Sequence, residues 1–127
     1  MVSTGTAKVK KRVLLVDDER AILKVLSIKL RISGYDVVTA SSGKEALDVI
    51  SSACPDVMLL DVVMPGMDGF EVLEKLRTSS ELPVIVFSAR PENAQKALSL
   101  GANDFLAKPL DVDDMIKRIE QLLDHNS

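Results

Sequence analysis

Val57-Met58-Leu59-Leu60-Asp61 is a run of four apolar residues that ends in a carboxylate. Such a short, continuous apolar run is typical of a strand that is buried on both faces of a parallel sheet. Four more runs of this kind occur along the chain, at residues 13–16, 37–40, 84–87 and 105–107. The pattern therefore predicts five buried strands.

Longer segments with apolar residues at helical spacing separate these runs. The last segment is the clearest, with a stripe formed by Val112, Met115, Ile116, Ile119, Leu122 and Leu123. The first segment has an expected apolar face of Ile22, Val25, Leu26 and Leu30. Pro91 is expected to open the fourth helix, and Ser42, which Glu45 follows three residues later, to cap the second. Each apolar stripe predicts a helix that packs on the sheet.

Strand and helix alternate five times, which predicts an α/β fold with helices on both faces of a parallel sheet. Right-handed crossovers leave few arrangements of five parallel strands. One of them is the doubly wound order 2-1-3-4-5 of flavodoxin-like proteins. We expect a single (βα)5 domain over residues 10–124, with flexible ends at residues 1–9 and 125–127.

Composition excludes several classes of protein. The chain has 127 residues, of which 46% are hydrophobic and 28% charged, and a net charge of -3. This weak acidity argues against direct nucleic-acid contact. No apolar run approaches the length of a membrane span or of a signal-peptide core. With a single cysteine, Cys54, the chain has no internal disulfide. We expect a cytoplasmic protein without membrane contact.

Polar side chains follow four of the predicted strands at the point where each strand ends. Asp17 and Asp18 follow the first, Asp61 the third, Ser88 the fourth and Lys108 the fifth. The carboxyl ends of parallel strands share one edge of the sheet, where ligands bind at the point of strand-order reversal. The sequence therefore predicts that three carboxylates, a hydroxyl and an ammonium group meet in one crevice.

Three neighbouring carboxylates need a positive counter-charge, because like charges raise one another's pKa. Oxygen ligands suit Mg²⁺ or Mn²⁺. An aspartate in such a site can attack a phosphoryl group and form an acyl phosphate. A metal and Lys108 offset the charge of the transferred group, and Ser88 donates a hydrogen bond to it.

Four strings of residues carry a resemblance to a known family. They are Leu14-Leu15-Val16-Asp17-Asp18-Glu19, Leu60-Asp61-Val62-Val63-Met64-Pro65-Gly66-Met67-Asp68-Gly69, Ser88-Ala89 and Lys108-Pro109. In this order and over nearly the whole chain, they resemble the receiver domains of two-component response regulators, of the chemotaxis-regulator type. The resemblance implies that Asp61 is the phosphoacceptor, that Asp18 binds the metal directly and that Asp17 binds it through water.

The resemblance also implies roles for residues around this site. Val63 offers its backbone carbonyl to the metal, and Lys108 pairs with the phosphate. The bond between Lys108 and Pro109 is expected to be cis, which proline permits. Ser88 and Phe105 resemble the hydroxyl and the aromatic residue that change position when the family's receivers are phosphorylated.

The implied partner is a sensor histidine kinase or a phosphotransfer protein. Phosphorylation is expected to switch a surface built from the fourth helix, the fifth strand and the fifth helix, and so to control an output domain or partner. Mixed charges on this surface, such as Asp104 and Arg118, suit pairing across a two-fold axis in a homodimer. The resemblance implies a signalling domain that assists only its own phosphorylation and dephosphorylation, and not an enzyme with other substrates.

Two other functions compete with this interpretation. A small Mg-dependent aspartyl-phosphate hydrolase of the haloacid dehalogenase type places its nucleophile and acid two residues apart after the first strand. Here Asp17 and Asp18 are adjacent, and residue 19 is Glu19. A flavodoxin needs a loop of hydroxyls and glycine around a flavin phosphate, whereas these three acidic side chains repel it.

Overall fold

The structure is a computed structural model that describes residues 10–64 and 66–125. The five strands are Arg12–Val16 (β1), Asp36–Ala40 (β2), Val57–Asp61 (β3), Val84–Ser88 (β4) and Asp104–Ala107 (β5). The five helices are Arg20–Ile32 (α1), Gly43–Ala53 (α2), Gly69–Arg77 (α3), Asn93–Ser99 (α4) and Val112–His125 (α5). The expectation of flexible ends concerns residues 1–9 and 126–127, which lie outside the described residues, and residue 125, which ends α5.

All neighbouring strands pair in parallel, in the order β2-β1-β3-β4-β5. The predicted flavodoxin-like α/β fold and its strand order are therefore confirmed. β1 lies between β2 and β3, and its last residue, Val16, pairs with Leu60 of β3. This register brings the carboxyl ends of β1 and β3 side by side, where the order of the strands reverses.

Two separate hydrophobic clusters cover the two faces of the sheet. Residues of β1 alternate between them, because successive side chains of a strand point to opposite faces. Leu15 belongs to the cluster beneath α1 and α5, and Leu14 belongs to the cluster beneath α2, α3 and α4. The same alternation in β3 and β4 explains why the apolar runs are continuous rather than alternating.

The capping prediction for α2 is confirmed, because Ser42 Oγ accepts a hydrogen bond from Glu45 N at 3.1 Å. At the start of α5, Asp111 Oδ1 accepts one from Asp114 N at 3.2 Å. The reciprocal bond of α2 differs from the standard capping box, because Glu45 Oε1 accepts from the backbone N–H of Ser41 instead of that of Ser42.

Two details of the predicted helices were wrong. Pro91 does not open α4, which begins at Asn93 after a turn in which Ala94 N donates to Pro91 O at 3.1 Å. In α1, Val25 is 54% exposed, whereas Leu23 is buried. The buried face of α1 is rotated from the expected one, and Leu23 belongs to the hydrophobic cluster beneath α1 and α5. Among the residues described, no helix is both long and apolar enough for a membrane crossing.

Candidate functional site

Three carboxylates meet at the carboxyl ends of β1 and β3. Asp17 and Asp18 follow β1 directly, and Asp61 is the last residue of β3. One carboxylate oxygen of each residue lies within 4.8 Å of one oxygen of the other two. The acidic cluster that the sequence predicted is therefore present, at the point where strand order reverses.

Asp17 is fully buried, and only one of its carboxylate oxygens is hydrogen-bonded. Oδ1 accepts from the backbone N–H of Glu19 at 2.9 Å, whereas Oδ2 is buried and has no hydrogen-bond partner among the described residues. Lys108 Nζ lies 3.7 Å from this oxygen. Loss of water around the carboxylate, together with the nearby Asp61, raises the pKa of Asp17 to about 6.

Asp61 is also buried, and both of its carboxylate oxygens have partners. Oδ1 accepts from the backbone N–H of Val63 at 3.1 Å, and Oδ2 lies 3.5 Å from Lys108 Nζ. Burial raises the pKa of Asp61, while the hydrogen bond from Val63 and the charge of Lys108 oppose this effect. These two contacts fix the orientation of the carboxylate before any ligand arrives.

Lys108 brings the positive charge to the site from the end of β5. Its backbone N–H donates to the carbonyl of Ser88 at 2.8 Å, which extends the β4–β5 ladder by one bond. Its peptide bond to Pro109 is cis. The ammonium group lies 5.2 Å from the centre of the Phe87 ring and between the carboxylates of Asp17 and Asp61.

Ser88 ends β4 and is fully buried. Its Oγ accepts hydrogen bonds at 3.0 Å from the backbone N–H of Arg90 and from the side-chain amide of Asn93. Phe105 lies on β5 and pairs in register with Val86 of the neighbouring strand β4. Its partly buried ring packs against the cluster beneath α2, α3 and α4.

Val63 lies in the loop that follows Asp61. Its side chain is 59% exposed, and its backbone contributes an N–H to the Asp61 carboxylate. Val63 therefore acts on Asp61 through its backbone and not through its side chain. Further along the same loop, Asp68 caps α3, because its Oδ1 accepts a hydrogen bond from Glu71 N at 3.0 Å.

The residues present fit a divalent cation. A buried carboxylate oxygen without a hydrogen bond, as in Asp17, is costly unless a cation or a proton satisfies it. The three carboxylates carry more negative charge than Lys108 alone can neutralise. Their hard oxygen atoms are the ligands that Mg²⁺ and Mn²⁺ prefer.

Sequence reasoning missed Asn93, which contacts the Ser88 hydroxyl. A single asparagine five residues after a serine matches no motif, and only the turn between β4 and α4 brings the two side chains together. The sequence motif also predicts no role for Gly69, although this glycine lies against the end of β3.

Comparison with known proteins agrees with this geometry. The profile of the response regulator receiver domain matches residues 13–120. The response regulator MprA of Mycolicibacterium vanbaalenii is 43% identical over 115 residues, which cover 88% of this chain and 50% of that protein. The probable transcriptional regulator ycf27 of Guillardia theta is 41% identical over 116 residues, which cover 90% of this chain and 46% of that protein. The chain thus spans about half the length of these relatives.

Solved structures give the same result. The receiver domain of the Francisella response regulator 1452 superimposes with a TM-score of 0.88 at 35% identity, covering 93% of this chain and 100% of that one. The response regulator TrrA of Thermotoga maritima, solved in complex with Mg²⁺ and beryllofluoride, gives 0.82 at 32% identity, covering 88% and 98%. The chain belongs to the receiver-domain family of two-component response regulators. This match does not favour the alternative of an aspartyl-phosphate hydrolase.

Proposed function

We propose that Asp61 accepts a phosphoryl group from a phosphohistidine on a sensor histidine kinase or a phosphotransfer protein. One observation carries this proposal: the buried carboxylate of Asp61 lies within reach of two further carboxylates and of Lys108 Nζ, at 3.5 Å. A carboxylate in this setting is shielded from water, oriented by Val63 and paired with a cation. These are the requirements of a nucleophile for phosphoryl transfer.

In the transfer itself, an Asp61 oxygen forms a bond to phosphorus while the bond between phosphorus and the histidine nitrogen breaks. The released imidazole keeps the bonding electron pair, and the acyl phosphate stays on Asp61. Lys108 offsets negative charge on the phosphoryl oxygens. The chain assists only this transfer and the later hydrolysis of its own acyl phosphate, so it acts as a signalling domain and not as an enzyme on other substrates.

The residues proposed to hold the metal, Mg²⁺ or Mn²⁺, are Asp18, Asp61 and the backbone carbonyl of Val63, with Asp17 acting through water. Asp18 is the more exposed of the two adjacent aspartates, which suits direct binding, and the buried Oδ2 of Asp17 is free of hydrogen bonds within the described part of the chain, so it could accept one from a metal-bound water. When bound, the metal supplies positive charge to the phosphoryl oxygens.

Phosphorylation adds roughly two negative charges and three hydrogen-bond acceptors beside Ser88 and Lys108. We propose that Ser88 and Phe105 change position in response to these charges. The surface formed by α4, β5 and α5 then transmits the change to an output domain or partner. The proposal places the chain in the cytoplasm and assigns no direct nucleic-acid contact to this domain. That the related regulators are about twice as long supports an attached output domain.

Phosphorylation by a small donor tests the proposal. The protein is incubated with acetyl phosphate and Mg²⁺, and intact mass is measured for the wild type, for Asp61→Asn and for Asp68→Asn as a nearby control. The wild type and Asp68→Asn are expected to gain one phosphoryl group, which hydroxylamine removes, whereas Asp61→Asn gains none. Equal labelling of Asp61→Asn, or no labelling of the wild type, would contradict the proposal.

A further inference from the structure

The hydroxyl of Ser88 is held by two donors that both come from the α4 side of the site. The backbone N–H of Arg90 and the side-chain amide of Asn93 each donate to Ser88 Oγ at 3.0 Å. Ser88 is 0% exposed, so bulk water does not reach these bonds. A hydroxyl has two lone pairs and one proton, and these two donors therefore fill its capacity as an acceptor.

The proposed phosphoacceptor has separate partners. The oxygens of Asp61 contact the backbone N–H of Val63 and the ammonium group of Lys108. Within residues 10–64 and 66–125, no hydrogen bond joins Asp61 to Ser88. Donation to a phosphoryl group on Asp61 uses the proton of the hydroxyl and neither of its lone pairs. A movement of Oγ towards that group nevertheless lengthens the bonds that it accepts from Arg90 and Asn93.

Loss of the bond from Arg90 and loss of the bond from Asn93 would affect different parts of the molecule. Arg90 is only two residues from Ser88, so its N–H belongs to the same short loop and can follow the hydroxyl. Asn93 is the first residue of α4. A change in its bond to Ser88 acts directly on the beginning of that helix.

We propose that Asn93 is a positioning residue for Ser88. Its side-chain amide holds the hydroxyl in the orientation of the unphosphorylated protein, and release of this bond frees the first turn of α4. The inference rests on the proposed function, because it assumes that a phosphoryl group on Asp61 attracts Ser88. It adds a named link between the phosphorylation site and the surface formed by α4, β5 and α5.

The remaining contacts of α4 agree with such a link. The helix has 7 residues, and Ala97 is the one that is buried. At its far end, the carbonyl of Gly101 accepts from Arg77 Nη2 at 2.8 Å, which ties the loop after α4 to α3. Beside its middle, the ammonium group of Lys96 lies 4.4 Å from the centre of the Phe70 ring. The first turn of α4 is therefore the part of the helix whose contacts involve the candidate site, through the bond from Asn93 to Ser88.

A cleft beside Asn93 gives the first turn of α4 room to move. It has a volume of about 320 Å³ and lies between the loop after β3 and the start of α4. Its lining includes Met64, Phe70, Arg90 and Asn93. This open space lies on the side of the first turn of α4 that faces the loop after β3.

The affinity for beryllofluoride and Mg²⁺, which mimic a phosphoryl group on a carboxylate, tests the inference. Asn93→Ala and the bulkier Asn93→Leu both lack the donor and so remove the bond that holds Ser88 in place. Each is expected to bind beryllofluoride about two- to tenfold more tightly than the wild type, the effect of one hydrogen bond. Gln95→Ala, which truncates an exposed amide on the same helix, is the control and is expected to leave the affinity unchanged.

A double-mutant cycle with Ser88→Ala separates positioning from a general effect on α4. If Asn93 acts through the Ser88 hydroxyl, Asn93→Ala has no effect on beryllofluoride affinity once that hydroxyl is absent. An equal effect in both backgrounds, an unchanged affinity or a weaker affinity of the single variants would each overturn the inference.

NMR spectra of the metal-free protein give a second readout. Asn93→Ala is expected to shift the amide signals of Arg90 and Lys108, whose N–H groups both bond to Ser88. Gln95→Ala is expected to leave these two signals in place, and identical spectra of the two variants at these positions would count against the inference. If the wild type itself fails to bind beryllofluoride, the proposed function fails; if only the Asn93 variants behave as the wild type, this inference fails alone.

Discussion

Burial of acidic residues makes the site costly in the absence of a cation. Asp17 and Asp61 are 0% and 2% exposed, and burial raises the pKa of both carboxyl groups. Each is stabilised in part by a backbone N–H, from Glu19 and Val63 respectively. The remaining destabilisation is what a bound cation removes, so the same groups that weaken the fold create affinity for a metal.

The metal-free protein should lose stability as pH rises through the range from about 4 to about 6. A carboxyl group whose pKa is raised to about 6 in the folded state, as for Asp17, holds its proton more tightly there than in the unfolded chain. The free energy of unfolding therefore falls with pH across this window. Asp17→Asn is expected to make this decline shallower and to stabilise the protein at pH 7 by on the order of 2–3 kcal/mol.

Urea unfolding in EDTA between pH 4 and pH 8 measures this effect. Asp48→Asn, a substitution of an exposed carboxylate on α2, serves as the matched control and should follow the wild-type curve. A decline of the same steepness in Asp17→Asn and in the wild type would contradict the prediction.

At the residue scale, the sequence predicted the side chains that stand at strand ends. Asp17, Asp18, Asp61 and Lys108 were identified because parallel strands bring their carboxyl ends to one edge. The unpartnered oxygen of Asp17 and the bond from Asn93 to Ser88 were not predictable, because they depend on side-chain orientations that no residue pattern encodes.

At the scale of elements, the start of α3 is pressed against the end of β3. A Cβ atom at Gly69 would lie 2.5 Å from the carbonyl oxygen of Asp61 and 2.5 Å from the Cα of Val62. Gly69 N also donates to Val62 O at 3.2 Å. Only glycine permits this approach, which places the capped end of α3 beside the proposed phosphoacceptor.

Gly69→Ala should therefore both destabilise the fold and disturb the site. The added methyl group meets backbone atoms, which cannot rotate away as a side chain can, so a loss of about 1–3 kcal/mol is expected. The rate of phosphorylation by acetyl phosphate should also fall, because Asp61 must shift. Urea unfolding and intact mass over time measure the two effects.

Glu74→Ala, on the exposed side of α3, is the control for Gly69→Ala. It should retain wild-type stability and phosphorylation rate. Wild-type values for Gly69→Ala would show that β3 and α3 separate more easily than their contact indicates.

Apolar patterning predicted the positions of the strands closely, but it predicted the buried face of helix α1 less well. All five strands were located to within a residue, since each is an unbroken apolar run between turns. The face of α1 was predicted less well, because Val25 and Leu23 are equally apolar and only the contact with the sheet distinguishes them.

At the scale of the whole molecule, the charges expected to pair across a dimer interface already pair within the chain. Arg118 Nη1 lies 2.8 Å from Asp104, and Arg118 Nε lies 3.2 Å from Asp114. Partial exposure of all three side chains makes these pairs weak. A dimer through α4, β5 and α5 would therefore exchange internal ion pairs for equivalent ones between two copies.

Phosphorylation is expected to favour such a dimer, because a shift of α4 changes the surface beside these pairs. Sedimentation velocity of the wild type with beryllofluoride and Mg²⁺ should show a species of doubled mass that is absent without them. Asp61→Asn, which lacks the acceptor, should remain monomeric under both conditions. A monomeric wild type in the presence of both ligands would rule out this mode of output.

The order of the five strands was predictable because few right-handed arrangements exist for a chain of this pattern. The pairing of Arg118 with Asp114 follows from their i,i+4 spacing on α5, whereas its pairing with Asp104 was not predictable, since Asp104 lies on β5 and only the tertiary structure brings it to Arg118.

The limited burial of α4 has a consequence for the evolution of the sequence. Because Ala97 is the only buried residue that the structure describes in this helix, substitutions at its exposed positions are expected to change the free energy of unfolding very little. Related proteins can thus acquire different binding partners at α4 while they keep the same phosphorylation site. Deep mutational scanning should reveal this as a band of high tolerance along α4, flanked by the intolerant ends of β4 and β5.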